Sequence, residues 1–324
     1  MMRNTFTIFL LISCFTPVFS QTDMSELFKD SLQSEKSNPV ISTFKSPRII
    51  NARTNETLHK YDLQFMVIHR FGDIAGDFGG LSSFYGLDNS TDILIGFEYG
   101  ISDQLSVGIG RTKGAPNGTS TFQSELFFLD GKLRILQQTK DNHIPVSLTL
   151  FGNSVVSATE ESDLVTSDTS FDKFGDRMSY TSQLILSRKF SDQLSLVLLP
   201  TYIHRNLVTY QDMNNLFALG IGGRLKVSRR MAVVFDYFHS FRSQESEDYF
   251  LRSKKFEFYN PLSVGLEIET GGHVFSLDFT NSTAILENQF IPSTSSNWGD
   301  GEFRWGFSIS RTFTLKENYE DYDW

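Results

Sequence analysis

Between Ile93 and Thr112 the chain alternates. Ile93, Ile95, Phe97 and Tyr99 fall on one parity, with Leu94, Gly96 and Glu98 on the other. A polar break, Ser102-Asp103-Gln104, separates these from Leu105, Val107 and Ile109, which alternate with Ser106, Gly108 and Gly110. Period two on both sides of a short polar break predicts a hairpin of half-buried strands. The turn Ser-Asp-Gln-Leu-Ser returns at 191–195, and a looser version occupies 227–231. About twelve such runs follow one another, at 61–71, 91–100, 105–113, 124–138, 145–155, 177–190, 193–206, 214–227, 231–241, 257–269, 273–281 and 302–315.

The connections sort by length. Those after the second, sixth, eighth and tenth runs are tight, and 139–144 after the fourth is only slightly longer. Those after odd runs are longer, as at 72–90, 157–176, 243–255 and 282–301. In an up-and-down barrel all even connections lie at one end and all odd ones at the other. Outer-membrane barrels have short periplasmic turns and long extracellular loops. The pattern therefore predicts an all-β, up-and-down antiparallel transmembrane β-barrel of about 12 strands, with 157–176 and 282–301 outside the cell. A soluble sandwich whose polar face meets bulk water is the competing reading, since each strand taken alone reads the same in both.

The two parities differ in chemistry. Leu148 and Leu150, Leu194, Leu196 and Leu198, Phe217, Leu219 and Ile221, Leu262, Val264 and Leu266, and Trp305, Phe307 and Ile309 form apolar stripes. The opposite parity carries Arg70, Glu98, Asp130, Lys132, Arg134, Arg205, Arg224, Asp236, Glu267, Glu269, Asp278 and Arg304. A basic residue facing lipid near the midplane costs about 2–4 kcal/mol, so these twelve are the candidate lumen-lining residues. Both signs are present. Paired across a narrow interior they would form a plug; on separate walls they would make a transverse field around water. Small inward residues such as Ser106, Gly108, Gly110, Gly220 and Gly222 leave space for a narrow passage.

Composition narrows the picture. The chain has 324 residues and a formal net charge of -9, which disfavours nucleic acid as a partner. Mean hydropathy is slightly negative, as expected of a barrel that alternates lipid-facing and lumen-facing residues. Residues 1–20 have a basic Arg3, a short apolar stretch and a Val18-Phe19-Ser20 cleavage pattern, and read as a signal peptide. Leu11-Ile12-Ser13-Cys14 is a competing lipoprotein pattern. Cys14 is the single cysteine, so the exported chain holds no disulfide. Residues 21–59 are polar and weakly patterned. Pro47 opposes a helix there, and the segment with Phe44, Arg48 and Asn51 is either a flexible leader or a plug tucked into the barrel mouth. The barrel proper spans 60–315, and 316–324 is an acidic, aromatic tail.

Several segments resemble an uncharacterised family of Bacteroidota-type outer-membrane β-barrels, a domain of unknown function. They are Ser42-Thr43-Phe44-Lys45-Ser46 with Arg48-Ile49-Ile50-Asn51, His69-Arg70-Phe71-Gly72, Gly86-Leu87-Asp88-Asn89, Glu269-Thr270-Gly271-Gly272 and Asn297-Trp298-Gly299. The resemblance covers about 42 to about 300. It implies a barrel in the outer membrane, with outer-membrane lipid and the barrel-assembly machinery as partners, and carries no activity.

Chemistry-bearing clusters are sparse. A barrel lipid hydrolase wants His and Ser on one face, within hydrogen-bond reach. His239 and Ser240 are adjacent and face opposite ways, and His273 and Ser276 also differ in parity. The six histidines lack metal-ligand spacing, and no cofactor motif is present. The expected function is a narrow channel for small polar solutes. The alternative is a closed barrel acting as a membrane anchor or binding module for a partner, and a lipid hydrolase ranks below both.

Overall fold

In a computed structural model the protein is described at residues 38–114, 124–165, 167–255 and 257–316. The signal-peptide stretch, residues 21–37 of the leader and nearly all of the C-terminal tail lie outside these residues. Two compact units are distinguished, Met1–Pro39 and Val40–Trp324. Only Asn38 and Pro39 of the first are described; the second is a closed barrel.

Its twelve strands are β1 (Asp62–Asp73), β2 (Ser90–Ser102), β3 (Leu105–Gly114), β4 (Glu125–Leu136), β5 (Ser147–Ser157), β6 (Met178–Lys189), β7 (Leu194–Arg205), β8 (Asn215–Lys226), β9 (Met231–Phe241), β10 (Leu262–Thr270), β11 (His273–Thr280) and β12 (Arg304–Thr314). Each pairs antiparallel with its sequence neighbours, and β1 closes on β12 with Phe65 opposite Arg311. The expected strands are all present. The largest boundary difference is at β10, which starts at Leu262 rather than 257. The even connections form what is here termed the turn end, and the odd ones the loop end. The β10–β11 turn passes through Gly271 (φ 20°) and Gly272 (φ 99°), where L side chains are strained.

Side chains alternate across the wall as the parity predicts. Phe217, Leu219, Ile221, Val264 and Phe307 point outward and are exposed, as an apolar band facing lipid would be. The inward face is not uniformly polar. On β5 to β9 it carries Phe151, Ile185, Val197, Leu199, Ile203, Leu216, Val234 and Phe238, all buried. Strand β7 is thus apolar on both faces over Leu196–Leu199, the continuous pattern of a strand buried on both sides. On β10 to β12 the inward face is charged and polar; on β1 to β4 such residues share it with a second apolar cluster, Met66, Ile68, Leu94, Leu126 and Phe128, which packs against Ile285 and Leu286.

A twelve-stranded wall is too wide for its own side chains to fill, unlike an eight-stranded one. Here two inserts fill it. The first is a hairpin anchored at the turn end. There Val40 N donates to Gln138 O at 2.8 Å, and Lys60 N to Asp103 Oδ1 at 2.9 Å. Pro47 fixes its backbone before Arg48, which bridges to Arg53. Ile49 N donates to Ala52 O at 2.8 Å, closing a turn with Ile50 and Asn51 at the tip. The second insert is the β11–β12 connection. Its helix α2 (Glu287–Ser293) is buried at every residue; a shorter helix, α1 (Gln244–Tyr249), lies in the β9–β10 loop. The expectation that 282–301 lies outside the cell is corrected: residues 284–294 fold back into the barrel, because Ala284, Ile285, Leu286, Phe290 and Ile291 are all at most 2 % exposed.

Phe44, Ile49, Ile50 and Ala52 of the hairpin share one apolar core with Ala284, Phe290 and Ile291 of the second insert and with the apolar inner wall. Phe290 packs edge-on to Phe238, with ring centroids 5.1 Å apart. Gly222 leaves room for this packing, since a Cβ there would sit 2.9 Å from Ile49 and 3.4 Å from Ala52 Cβ.

Candidate functional site

The inserts meet at Glu287. Its carboxylate accepts from Arg48 Nη2 at 2.8 Å and from Arg53 Nε at 2.7 Å, and is 1 % exposed. Arg53 also reaches Asp130 Oδ2 at 3.0 Å and lies over the Phe151 ring, 4.3 Å from its centroid. Arg48 has the carbonyls of Asn51 (3.3 Å) and Ile285 (3.0 Å). One carboxylate from the loop end thus ties both arginines of the turn-end hairpin.

Electrostatics make this latch asymmetric. Burial alone would raise the Glu287 carboxyl, but Arg48 and Arg53 outweigh it and hold it below the usual carboxylate range. Burial also works to lower Arg53, yet Glu287 and Asp130 hold it above its ordinary value. For Arg48, burial and then the adjacent Arg53 win over Glu287, and its guanidinium is lowered to about 10. All three stay ionised at neutral pH. Arg48 is the strained member, desolvated beside a like charge with one carboxylate within salt-bridge distance.

The wall grips both inserts through buried polar groups. Asp236 Oδ2 accepts from the tip amides of Asn51 (2.6 Å) and Ala52 (2.9 Å). Asn51 donates to Ser263 Oγ at 2.8 Å and accepts from Arg70 Nη2 at 2.7 Å. Arg70 also pairs with Asp278. Lys132 joins Glu98 (2.9 Å) to the carbonyl of Glu56 (2.7 Å). Arg224 pairs with Glu267 at 2.7 Å, and Arg304 with Asp73. Asp92 accepts from Ile285 N at 3.0 Å, holding the second insert.

Nine of the twelve candidate lumen residues, Arg70, Glu98, Asp130, Lys132, Arg224, Asp236, Glu267, Asp278 and Arg304, are therefore buried inside the wall. Arg134, Arg205 and Glu269 share the inward parity but lie at the strand ends and are only half-buried: Arg134 donates to Asp103 O, Glu269 meets Lys45 at 3.3 Å, and Arg205 meets Asp212 at 3.0 Å. Phe44, Arg48 and Asn51 are all buried in the hairpin. Glu287 and Arg53 escaped the sequence reading because neither lies in an alternating run. The available signal was the apolar content of 284–292, unusual for a loop in water.

At the loop end Asp212 joins Arg205 and Arg242, and Arg242 donates to Pro292 O at 2.6 Å, tying α2 to the rim. A cavity of about 20 Å³ remains beside it, lined by Arg177, Arg205 and Asn288 among others, space for a water and not for a solute. His69, His204 and His239 face outward near the loop end; His69 stacks on Phe307 and meets Phe71 at a tilt. Among the described residues no group of three His, Cys, Asp or Glu is arranged to hold a metal.

A closed antiparallel wall with an apolar outer band and buried charges on its inner face defines the class: a membrane β-barrel. Residues 44–313 match the model of the membrane-bound beta barrel domain DUF5777, and the chain belongs to that family. Among solved structures it is similar to the KdgM porin (6 % identity, TM-score 0.45, 78 % of this chain and 99 % of that one). It is also similar to the COG4313 outer membrane channel from Pseudomonas putida F1 (10 %, 0.47, 80 % and 98 %). A third is Omp33 from Acinetobacter baumannii (7 %, 0.37, 78 % and 99 %). At such values the likeness is one of barrel architecture alone. No curated protein matches the chain.

Proposed function

We propose that the protein is an outer-membrane channel for small polar solutes, held shut by its two inserts. The observation that carries this reading is the way the lumen is filled. The barrel closes through its own twelve strands. Apart from Val40 N on Gln138 O in the β4–β5 turn, the hairpin bonds to the wall through side chains and through amides donated to side chains such as Asp236 and Ser106. It can therefore withdraw without breaking a wall strand pair, and its withdrawal leaves a lumen wider than twelve strands' side chains fill. The short turns would face the periplasm, so the hairpin, anchored at that end, is reached from that side.

The apolar inner wall favours a second reading, a permanently sealed barrel that serves as an anchor. The two differ in conductance. Full-length protein in planar bilayers should be mostly silent and should conduct once the hairpin is released by a chaotrope at the periplasmic face. Folded barrels that stay silent after release would support the anchor.

A further inference from the structure

The hairpin is held as a ligand would be. Its tip presents two backbone amides to Asp236, its Arg53 guanidinium spans Asp130 and Glu287 with one face on Phe151, and its Ile49 and Ala52 lie over the Gly222 notch against Val197. Each of the three carboxylates is at least nine-tenths buried. When the hairpin leaves, they lose their charged or amide donors together, and an apolar strip opens opposite them. An unpaired buried carboxylate is costly, so the emptied groove attracts whatever restores those donors. A cation, a pair of amide N–H groups and an apolar flank at this spacing describe a short, extended, basic peptide. An anionic solute would find Arg70 and Lys132 there, but these keep their own carboxylates, Asp278 and Glu98, and it has no donor for the three carboxylates left open.

We infer that the open lumen carries a binding groove for extended cationic peptides, and that the hairpin is its built-in competitor. This rests on the gated-channel reading. It makes the channel cation-selective when open, with the solute displacing the hairpin from the same contacts.

The test uses full-length protein carrying Arg48→Gln, which weakens the latch but leaves all three carboxylates in place. Currents are recorded in planar bilayers with a synthetic peptide of residues 46–56 added at the turn-end face. A control peptide has both arginines replaced by glutamate. The expected result is a cation-selective current blocked by the basic peptide at concentrations about tenfold or more below the acidic one, as close buried charge pairs discriminate. Asp130→Asn with Asp236→Asn should erase that preference. A conducting variant blocked equally by both peptides, or by neither, overturns the groove and leaves the gate standing. A variant that is folded by heat-modifiable gel migration yet silent overturns both.

Discussion

Replacing Glu287 by Gln tests the latch with the least change of shape. The amide keeps the volume and one acceptor oxygen and removes the charge. Arg53 retains Asp130 at 3.0 Å. Arg48 keeps only neutral acceptors, the amide oxygen at 287 and two carbonyls at 3.0 and 3.3 Å, and is left as a buried cation without a counter-charge. Breaking a buried ion pair from one side costs about 3–5 kcal/mol. The lower end applies, since those carbonyls still solvate the guanidinium. That penalty falls on the shut state, because a withdrawn hairpin exposes Arg48 to water. About 3 kcal/mol is roughly a hundredfold in the open-to-shut ratio. The assay is open-state occupancy in planar bilayers, with heat-modifiable migration as the folding control. Replacing both partners, Arg48→Leu with Glu287→Leu, removes the orphaned charge and keeps Arg53 on Asp130. It should return occupancy to within about tenfold of wild type, because apolar replacement of a buried pair is often neutral. A silent Glu287→Gln barrel, or a double variant as open as the single one, would refute the reasoning.

Three further outcomes follow from the same contacts. Gly222→Val places side-chain atoms where Ile49 and Ala52 pack, so hairpin protection from protease should fall while the barrel keeps its heat-modifiable migration. Glu287 has a lowered carboxyl, so its contribution is present above the unfolded value of about 4.3 and is lost as pH falls through the lower folded value; the occupancy difference between wild type and Glu287→Gln should therefore stay constant from about pH 7 to pH 5 and shrink in stronger acid. Arg242→Ala removes the bonds to Asp212 and Pro292 O, and hydrogen exchange in α2 should quicken while the hairpin stays protected.

The wall was legible because a strand's side chains alternate with period two, and a charge in an apolar run can satisfy that alternation only by facing inward. Arg70, Lys132 and Asp278 are inside for that reason. The length rule for connections gave the two ends of the barrel. What lies in the lumen was only half legible. Pro47 marked the hairpin as extended, but Arg53 lies just beyond the segment singled out. The second insert looked like an external loop because loops carry no period. Its apolar run from Ala284 to Ile291 is explained only by the apolar inner wall opposite. That wall was itself hidden, because Val197 and Leu199 alternate with lipid-facing leucines and a strand apolar on both faces does not say which face meets lipid. Arg134, Arg205 and Glu269 have the inward parity but sit at strand ends, where parity no longer implies burial.

The central claim is that the hairpin moves. Full-length protein carrying Glu287→Gln, with Cys14→Ser, Ala52→Cys and Gly222→Cys, tests it most directly. A Cβ at 222 lies 3.4 Å from that of Ala52, close to the roughly 3.5–4.5 Å of disulfide-linked pairs, and Ile49 Cδ1 nearby can swing aside. The measurement is single-channel current before and after reduction from the turn-end face. The account predicts silence while the pair is oxidised and conductance once it is reduced, reversibly. Equal current in both states, whether zero or open, would contradict it.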